Sequence, residues 1–252
     1  MGNLIKMDLY KIRKAKMTYI CLLVAVGLTV LIEGLMPMLL NLLNTDVKVD
    51  KVQSFGKLIS SPFLTTLMFL SAAHFSYIDI ADGYIKNIAG QLANKGNTVI
   101  SKFVAVSVHN LVFLLVDGAA MGVAGMICYD VDMSNIAEGL GTILLKWFIS
   151  LGIVALIFLF TNGIKSNVLG YIITILFCFG ATNGLYLGIN AGLHKLGVSE
   201  SFSIGDYALE NLIDTASFVD GKDVALGIIM AVIYICLFMW LTVTLFNKKD
   251  VK

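Results

Sequence analysis

The sequence predicts an all-α integral membrane protein, a single transmembrane domain over residues 1–252. It has six transmembrane helices and an N-terminal interfacial helix, with short helical patterns in a cytoplasmic loop (the coupling helix of the resemblance given below) and in the external stretch before the last span. Three observations carry that expectation. Of the 252 residues 58% are hydrophobic and only 14% are charged, and the mean hydropathy of +0.87 lies far above that of a soluble domain. Six apolar runs each approach the roughly 20 residues that cross a bilayer. The runs are too uniformly apolar for a barrel's alternation, and in lipid only a helix pairs all of its own backbone amides.

Residues 1–16 place Ile5, Leu9 and Ile12 at i, i+4 and i+7, surrounded by Lys6, Lys11, Arg13, Lys14 and Lys16. That spacing suits a helix in the membrane interface with its basic groups toward lipid phosphates. No small-x-small cleavage site follows, and the next apolar run is too long for a signal peptide, so the helix is expected to be retained. The spans are expected at Thr18–Leu40, Leu58–Tyr77, Phe103–Cys128, Ile143–Phe160, Val168–Ile189 and Val224–Phe246. Pro37 kinks or ends the first. Ser61-Pro62 reads as an N-cap with proline at the first helical position of the second.

Orientation follows from the basic residues. The N-terminus, the 79–102 loop, the 161–167 loop and the C-terminal tail hold twelve Lys and Arg, against six on the opposite segments 41–57, 129–146 and 190–223. Most carboxylates fall on that second set. The first set is therefore expected in the cytoplasm, with both termini inside.

The 79–102 loop has internal order. Ile85, Ile88 and Leu92 form one helical stripe, Lys86, Asn87 and Gln91 fall between them, and Asn94-Lys95-Gly96-Asn97 is turn chemistry. Two readings stand: a short amphipathic helix at the membrane surface, or a solvated connector. On the opposite side, residues 190–223 carry Ile204, Tyr207, Ala208 and Leu212 against Asp206, Glu210 and Asp214. That pattern is either a short helix capping the bundle or a plain loop.

Inside the spans the carboxylates are Glu33 and Asp117, and the imidazoles are His74 and His109. A charge in hydrocarbon is costly, so each should face protein or water. Glu33 and Asp117 either contact a cationic substrate or relay protons, or else simply reach a polar neighbour. Gly180, Gly184, Gly188 and Gly192, like Gly118 and Gly122, give small-residue faces for close packing, within one chain or between two copies. Cys21, Cys128, Cys178 and Cys236 lack metal or disulfide spacing and read as small apolar residues.

No G-x-x-x-x-G-K-[ST], H-E-x-x-H or G-x-S-x-G motif is present, so neither a nucleotide-binding loop nor a familiar hydrolytic site is expected. Uphill transport would need energy from another protein or an ion gradient.

One stretch carries a resemblance. Asp79-Ile80-x-x-Gly83-Tyr84-Ile85-Lys86-Asn87, then Asn94-Lys95 and Ser101-Lys102, resembles the first cytoplasmic loop of bacterial ABC type-2 permeases. Tyr84 stands where that family has Thr, Ile80 where it has an aromatic, and Asn94-Lys95 where it has Ser-Arg. The resemblance implies an exporter's membrane subunit, paired with itself or with a closely related permease. Two copies of a separate ATPase subunit would bind the ATP and magnesium, and this chain would bind no cofactor itself. It further implies ATPase docking through Gly83, Tyr84, Ile85, Lys86, Asn87, Ile88, Leu92 and Lys95. The second and fifth spans would line the route, with Ser61, Thr65, Thr66, Thr174, Thr182 and Asn183 as pathway candidates. The cargo implied is amphipathic, an antimicrobial or toxin peptide above all. Beside the lipid bilayer no nucleic acid is an expected partner. The alternatives are an ion-coupled transporter working through Glu33 and Asp117, and a membrane protein that confers immunity by binding a peptide without transporting it.

Overall fold

The computed structural model describes residues 1–31, 62–84, 95–128, 136–199, 202–215, 218 and 221–248. Among the described residues the regular structure is helical throughout and no strand occurs. The helices are α1 (Gly2–Lys14), α2 (Lys16–Thr29), α3 (Pro62–Ala81), α4 (Gly96–Cys128), α5 (Ile136–Phe158), α6 (Asn167–Cys178), α7 (Thr182–Lys195), α8 (Leu209–Thr215) and α9 (Gly221–Lys248). Four of these, α3, α4, α5 and α9, are long and apolar enough to cross a membrane. There are five such spans if the bent pair α6–α7 counts as one. The predicted first span, Thr18–Leu40, falls outside the described residues beyond 31, and so does the predicted coupling helix after Tyr84.

α3 starts at Pro62, where the fixed φ of proline suits a first helical position. The core packs α3, α4 and α5 around Met68, Phe69, Phe113, Ile149, Val154 and Phe158, all at most 1% exposed. α9 lies along α5, and α6 along α3. Only 11% of the apolar stretch of α9 is buried within the chain, against 67% for α5. Ile229, Val232, Ile233, Leu237 and Trp240 therefore project outward. An apolar face of that extent suits lipid and not water, and the protein is a multi-pass membrane protein.

Two sequence expectations need correction. First, α3 continues to Ala81 and α4 begins at Gly96, so Asp79 and Lys102 sit inside membrane-length helices. Polar residues end an apolar run but not a helix; pairing lets the helix continue. Second, the fifth span is not one helix over 168–189. It breaks after Cys178 and resumes at Thr182, turning by 72°. The cause is Gly180, at φ +66°, a left-handed position that glycine occupies without strain. Its amide donates to the Phe177 carbonyl and that of Ala181 to Leu176, the paired bonds of a Schellman cap. Gly197, at φ +90°, closes α7 the same way, with Gly197 and Val198 donating to His194 and Leu193. The predicted outer loop from 190 thus begins as helix. The glycine face, for which the sequence left packing within one chain or between two copies open, is unfilled on its own side: among the described residues a methyl group added at Gly184, Gly188 or Gly192 would meet no atom within 4 Å. Of the cysteines whose side chains are described, Cys21 is buried, Cys178 half-buried and Cys236 exposed, all as free thiols.

Between α5 and α6 the chain turns in very few residues. A π-helical turn, Leu159–Gly163, continues α5, Lys165 takes a left-handed φ of 65°, and the Ser166 hydroxyl accepts from the Leu169 amide to cap α6.

Candidate functional site

The N-terminal helix brings a carboxylate and an ammonium to the start of α4. In α1, Asp8 falls three residues after Ile5 and four before Ile12, on the face that packs against α4, and it is 5% exposed. Ser101 donates to its carboxylate. One turn along, the Lys11 Nζ reaches Asp79 Oδ1 at the end of α3 at 3.0 Å. The other oxygen of Asp79 takes Lys102 Nζ at 2.9 Å, and Lys102 also reaches the Ser76 carbonyl at 3.4 Å. Asp79 is therefore shared by two lysines, one from each neighbouring helix.

The cluster holds two carboxylates and two ammonium groups, so it is balanced. Burial differs between them: the side chains of Lys102 and Asp79 are 6% and 8% exposed, and that of Lys11 is 32% exposed. Buried ions of this kind persist only when every one is paired and hydrogen bonded. Burial pushes the Asp8 carboxyl above its ordinary range, while the Ser101 hydroxyl and the charge of Lys102 pull it back in part. Tyr84, the last described residue before the loop, is tied to the same cluster. Lys11 Nζ stands 3.7 Å from its ring centroid, and its hydroxyl donates to Met7 Sδ at 3.2 Å.

The sequence singled out Asp79, Gly83, Tyr84, Ser101 and Lys102 as one motif, and four of those residues touch this cluster. Gly83 supplies the turn after α3, at φ +66°. Lys95 immediately precedes α4. Ile85, Lys86, Asn87, Ile88 and Leu92 lie outside the described residues, as do Ser61 and Glu33. Asp8 and Lys11 were missed as site residues. A signal existed, because Asp8 is the one acidic residue among the first sixteen and lies on their apolar stripe.

A second polar site forms where the fifth span breaks. Thr65 and Phe69 of α3, Ile153 of α5, Phe177 and Cys178 of α6, Gly180, Asn183, and Glu210, Asn211, Ile213 and Asp214 of α8 line a cavity of about 80 Å³. The sequence placed Glu210 and Asp214 on the solvent side of an outer helix. Instead, Ala208, Leu209, Leu212 and Ile213 bury α8 against the bundle, and Glu210 turns toward α7. Its Oε1 accepts from Thr182 and from the Tyr186 hydroxyl, the latter at 2.7 Å. Among the described residues its Oε2 has no hydrogen-bond partner. Lys146, counted with the outer segment 129–146 yet within the predicted span Ile143–Phe160, is 3% exposed in α5 and donates to the Asp214 carbonyl at 3.3 Å.

Of the pathway candidates, Thr65 and Asn183 line this cavity and Thr182 supports it through Glu210. Thr66 is adjacent and half-buried. Thr174 is buried and donates to the Gly170 carbonyl of its own helix. Asp117 is 2% exposed and accepts from the Thr29 hydroxyl at 2.8 Å, joining α2 to α4. His109 lies 3.2 Å from the Ser71 hydroxyl and His74 lies 3.4 Å from that of Tyr171. Among the described residues no group of three or more His, Cys, Asp or Glu could hold a metal ion.

The family model described as ABC-2 family transporter protein matches residues 4–181 of the chain. The match spans the whole charged cluster and reaches the break in the fifth span. No curated protein compared with the chain matches it.

Proposed function

Because the chain belongs to the ABC-2 family of transporter proteins, a family of membrane permease subunits that work with an ABC ATPase, we propose that it is the permease of an ATP-driven exporter. A separate ATPase docks beneath it, holding the ATP and magnesium. The cargo is amphipathic, with a cationic antimicrobial or toxin peptide as the leading candidate, and it leaves the cytoplasm or the inner membrane through a dimer of this chain. Both termini face the cytoplasm of a bacterial cell membrane, which puts the charged cluster on the side where the ATPase works.

The observation that supports this reading is the Asp79 bridge. A force generated elsewhere must enter through the loop after Tyr84 and reach the spans without being lost in a soft joint. Lys11 and Lys102 hold α1, the end of α3 and the start of α4 to a single carboxylate, and Tyr84 seats the root of the loop on Lys11. Displacing the loop then moves three helices together. Such rigid-body motion about a bistable interface is how two nucleotide states of a partner can select two states of a permease. Ile85 and Ile88 are assigned to an ATPase groove, with Lys86 and Lys95 at its rim.

The test replaces Ile85 and Ile88 with Asp together. Substrate-stimulated ATP turnover is expected to disappear while the chain still inserts in the membrane. An ATPase subunit that copurifies with the double variant as well as with the parent would overturn the docking assignment.

A further inference from the structure

The cavity at the break of the fifth span lies fourteen residues from Asp79 along α3, roughly 20 Å at the rise of a helix, so it is separate from the charged cluster. Its chemistry is unbalanced. Glu210 spends one oxygen on two donors, Thr182 and Tyr186, which fixes the orientation of the carboxylate. The other oxygen is shielded from solvent and has no donor among the described residues. A buried carboxylate oxygen left without a donor is costly, and a ligand that brings one recovers that cost. Asp214 adds a second carboxylate to the lining. Lys146 reaches the backbone carbonyl of that residue and its charge faces the Asp214 carboxylate, which leaves Glu210 as the carboxylate open to a ligand.

We propose that this cavity binds a primary ammonium group, with Glu210 Oε2 as its charge partner. The assignment rests on reading the chain as a permease and names the part of the cargo it grips. The donor-less oxygen of Glu210 disfavours an anionic group. With a single free carboxylate oxygen and no three-ligand cluster among the described residues, a divalent metal ion is poorly served. About 80 Å³ holds one ammonium head with a few waters, not a folded ligand. Phe69 and Phe177 complete the wall and suit the methylenes behind the charge. An ammonium head can come from a lysine of a cationic peptide or from an aminophospholipid.

The experiment uses the transporter purified from its native membranes with whatever subunits accompany it, in phosphatidylcholine nanodiscs and without ATP. The probe is a fluorescent amphipathic peptide of leucine and lysine with a blocked N-terminus, alongside the same peptide with every lysine acetylated. Anisotropy is expected to give about tenfold tighter binding for the lysine form, the usual scale of a desolvated charge-assisted contact. Glu210→Gln keeps an acceptor for Thr182 and Tyr186 but replaces the free oxygen with an amide, and it should erase that preference. Affinity for the acetylated form should stay the same. A variant-free arm competes with octylammonium, which should displace the lysine peptide, and octyltrimethylammonium, which has no N–H and should not. Equal binding of the two peptides by the parent protein, or a preference that survives Glu210→Gln, would overturn the assignment. If phosphatidylethanolamine nanodiscs abolish the preference, the lipid headgroup supplies the ammonium; if the preference remains, the cargo does. A preserved preference in a preparation that contains no ATPase would retire the exporter reading and leave the site standing.

Discussion

Replacing Asp79 with Asn probes the charged cluster most directly. The substitution keeps the shape of the side chain and removes the charge shared by Lys11 and Lys102. The Lys102 side chain is only 6% exposed, and a buried ion stripped of its partner typically costs about 3–5 kcal/mol. Lys11 is 32% exposed, so solvent screens it and its half of the bridge is worth at most about 1 kcal/mol. Asp8 lies close enough to act on Lys102 and offsets part of the loss. The net expectation is roughly 3 kcal/mol, or about two decades in the folding equilibrium. Lys102→Met alone should be similarly disruptive, because it leaves Asp79 with the exposed lysine only. The double variant removes both charges and should recover much of the damage, since a buried pair replaced by uncharged groups is often neutral. The assay is unfolding in mixed micelles as denaturing detergent is raised, read as a double-mutant cycle. Additivity of the two single changes to within about 0.5 kcal/mol would refute the bridge.

Other expectations follow from single groups. Asn110, 0% exposed, has neither amide atom hydrogen bonded among the described residues, so Asn110→Leu should raise stability by about 1–2 kcal/mol; the same unfolding assay checks it. Gly180→Ala forces a methyl-bearing residue to φ +66° and should cost about 1–2 kcal/mol, seen as a lower thermal midpoint. The raised Asp8 carboxyl binds a proton more readily in the folded state than in the unfolded one. Its contribution to stability is therefore greatest below the unfolded value and is lost as pH rises through the raised folded one. Asp8→Asn should remove that portion, giving a flatter stability profile on the acid side of neutrality than the parent in a pH series of unfolding curves.

The apolar spans were legible because hydrophobic run length alone reports them, and α3, α4, α5 and α9 lie where the runs are. The helix ends were not. Asp79 and Lys102 look like loop residues in a linear reading, because the partner that makes each tolerable inside a helix is 23 positions away or on α1. The break at Gly180 was masked by its own pattern. A glycine every fourth residue suggests a smooth packing face, and nothing in the spacing says which of the four takes a left-handed φ. Glu210 was misplaced for a related reason. α8 has only seven residues, too few for periodicity to tell which side of so short a piece meets the bundle. The motif residues Asp79, Tyr84, Ser101 and Lys102 were found by resemblance; Asp8 and Lys11, which bind them, required the fold.

The bond between Ser101 and Asp8 joins residues 93 positions apart, and that separation sets a delay during biosynthesis. At ordinary elongation speeds the N-terminal amphipath leaves the ribosome roughly 5 to 20 seconds before the hydroxyl it will meet. Until then its lone carboxylate has no seat in the nascent chain, and headgroups of the target bilayer are the nearest shelter for Lys6, Arg13, Lys14 and Lys16, which stay exposed even in the finished protein. Completion of the early part of the fold is thus timed by the translation of residue 102.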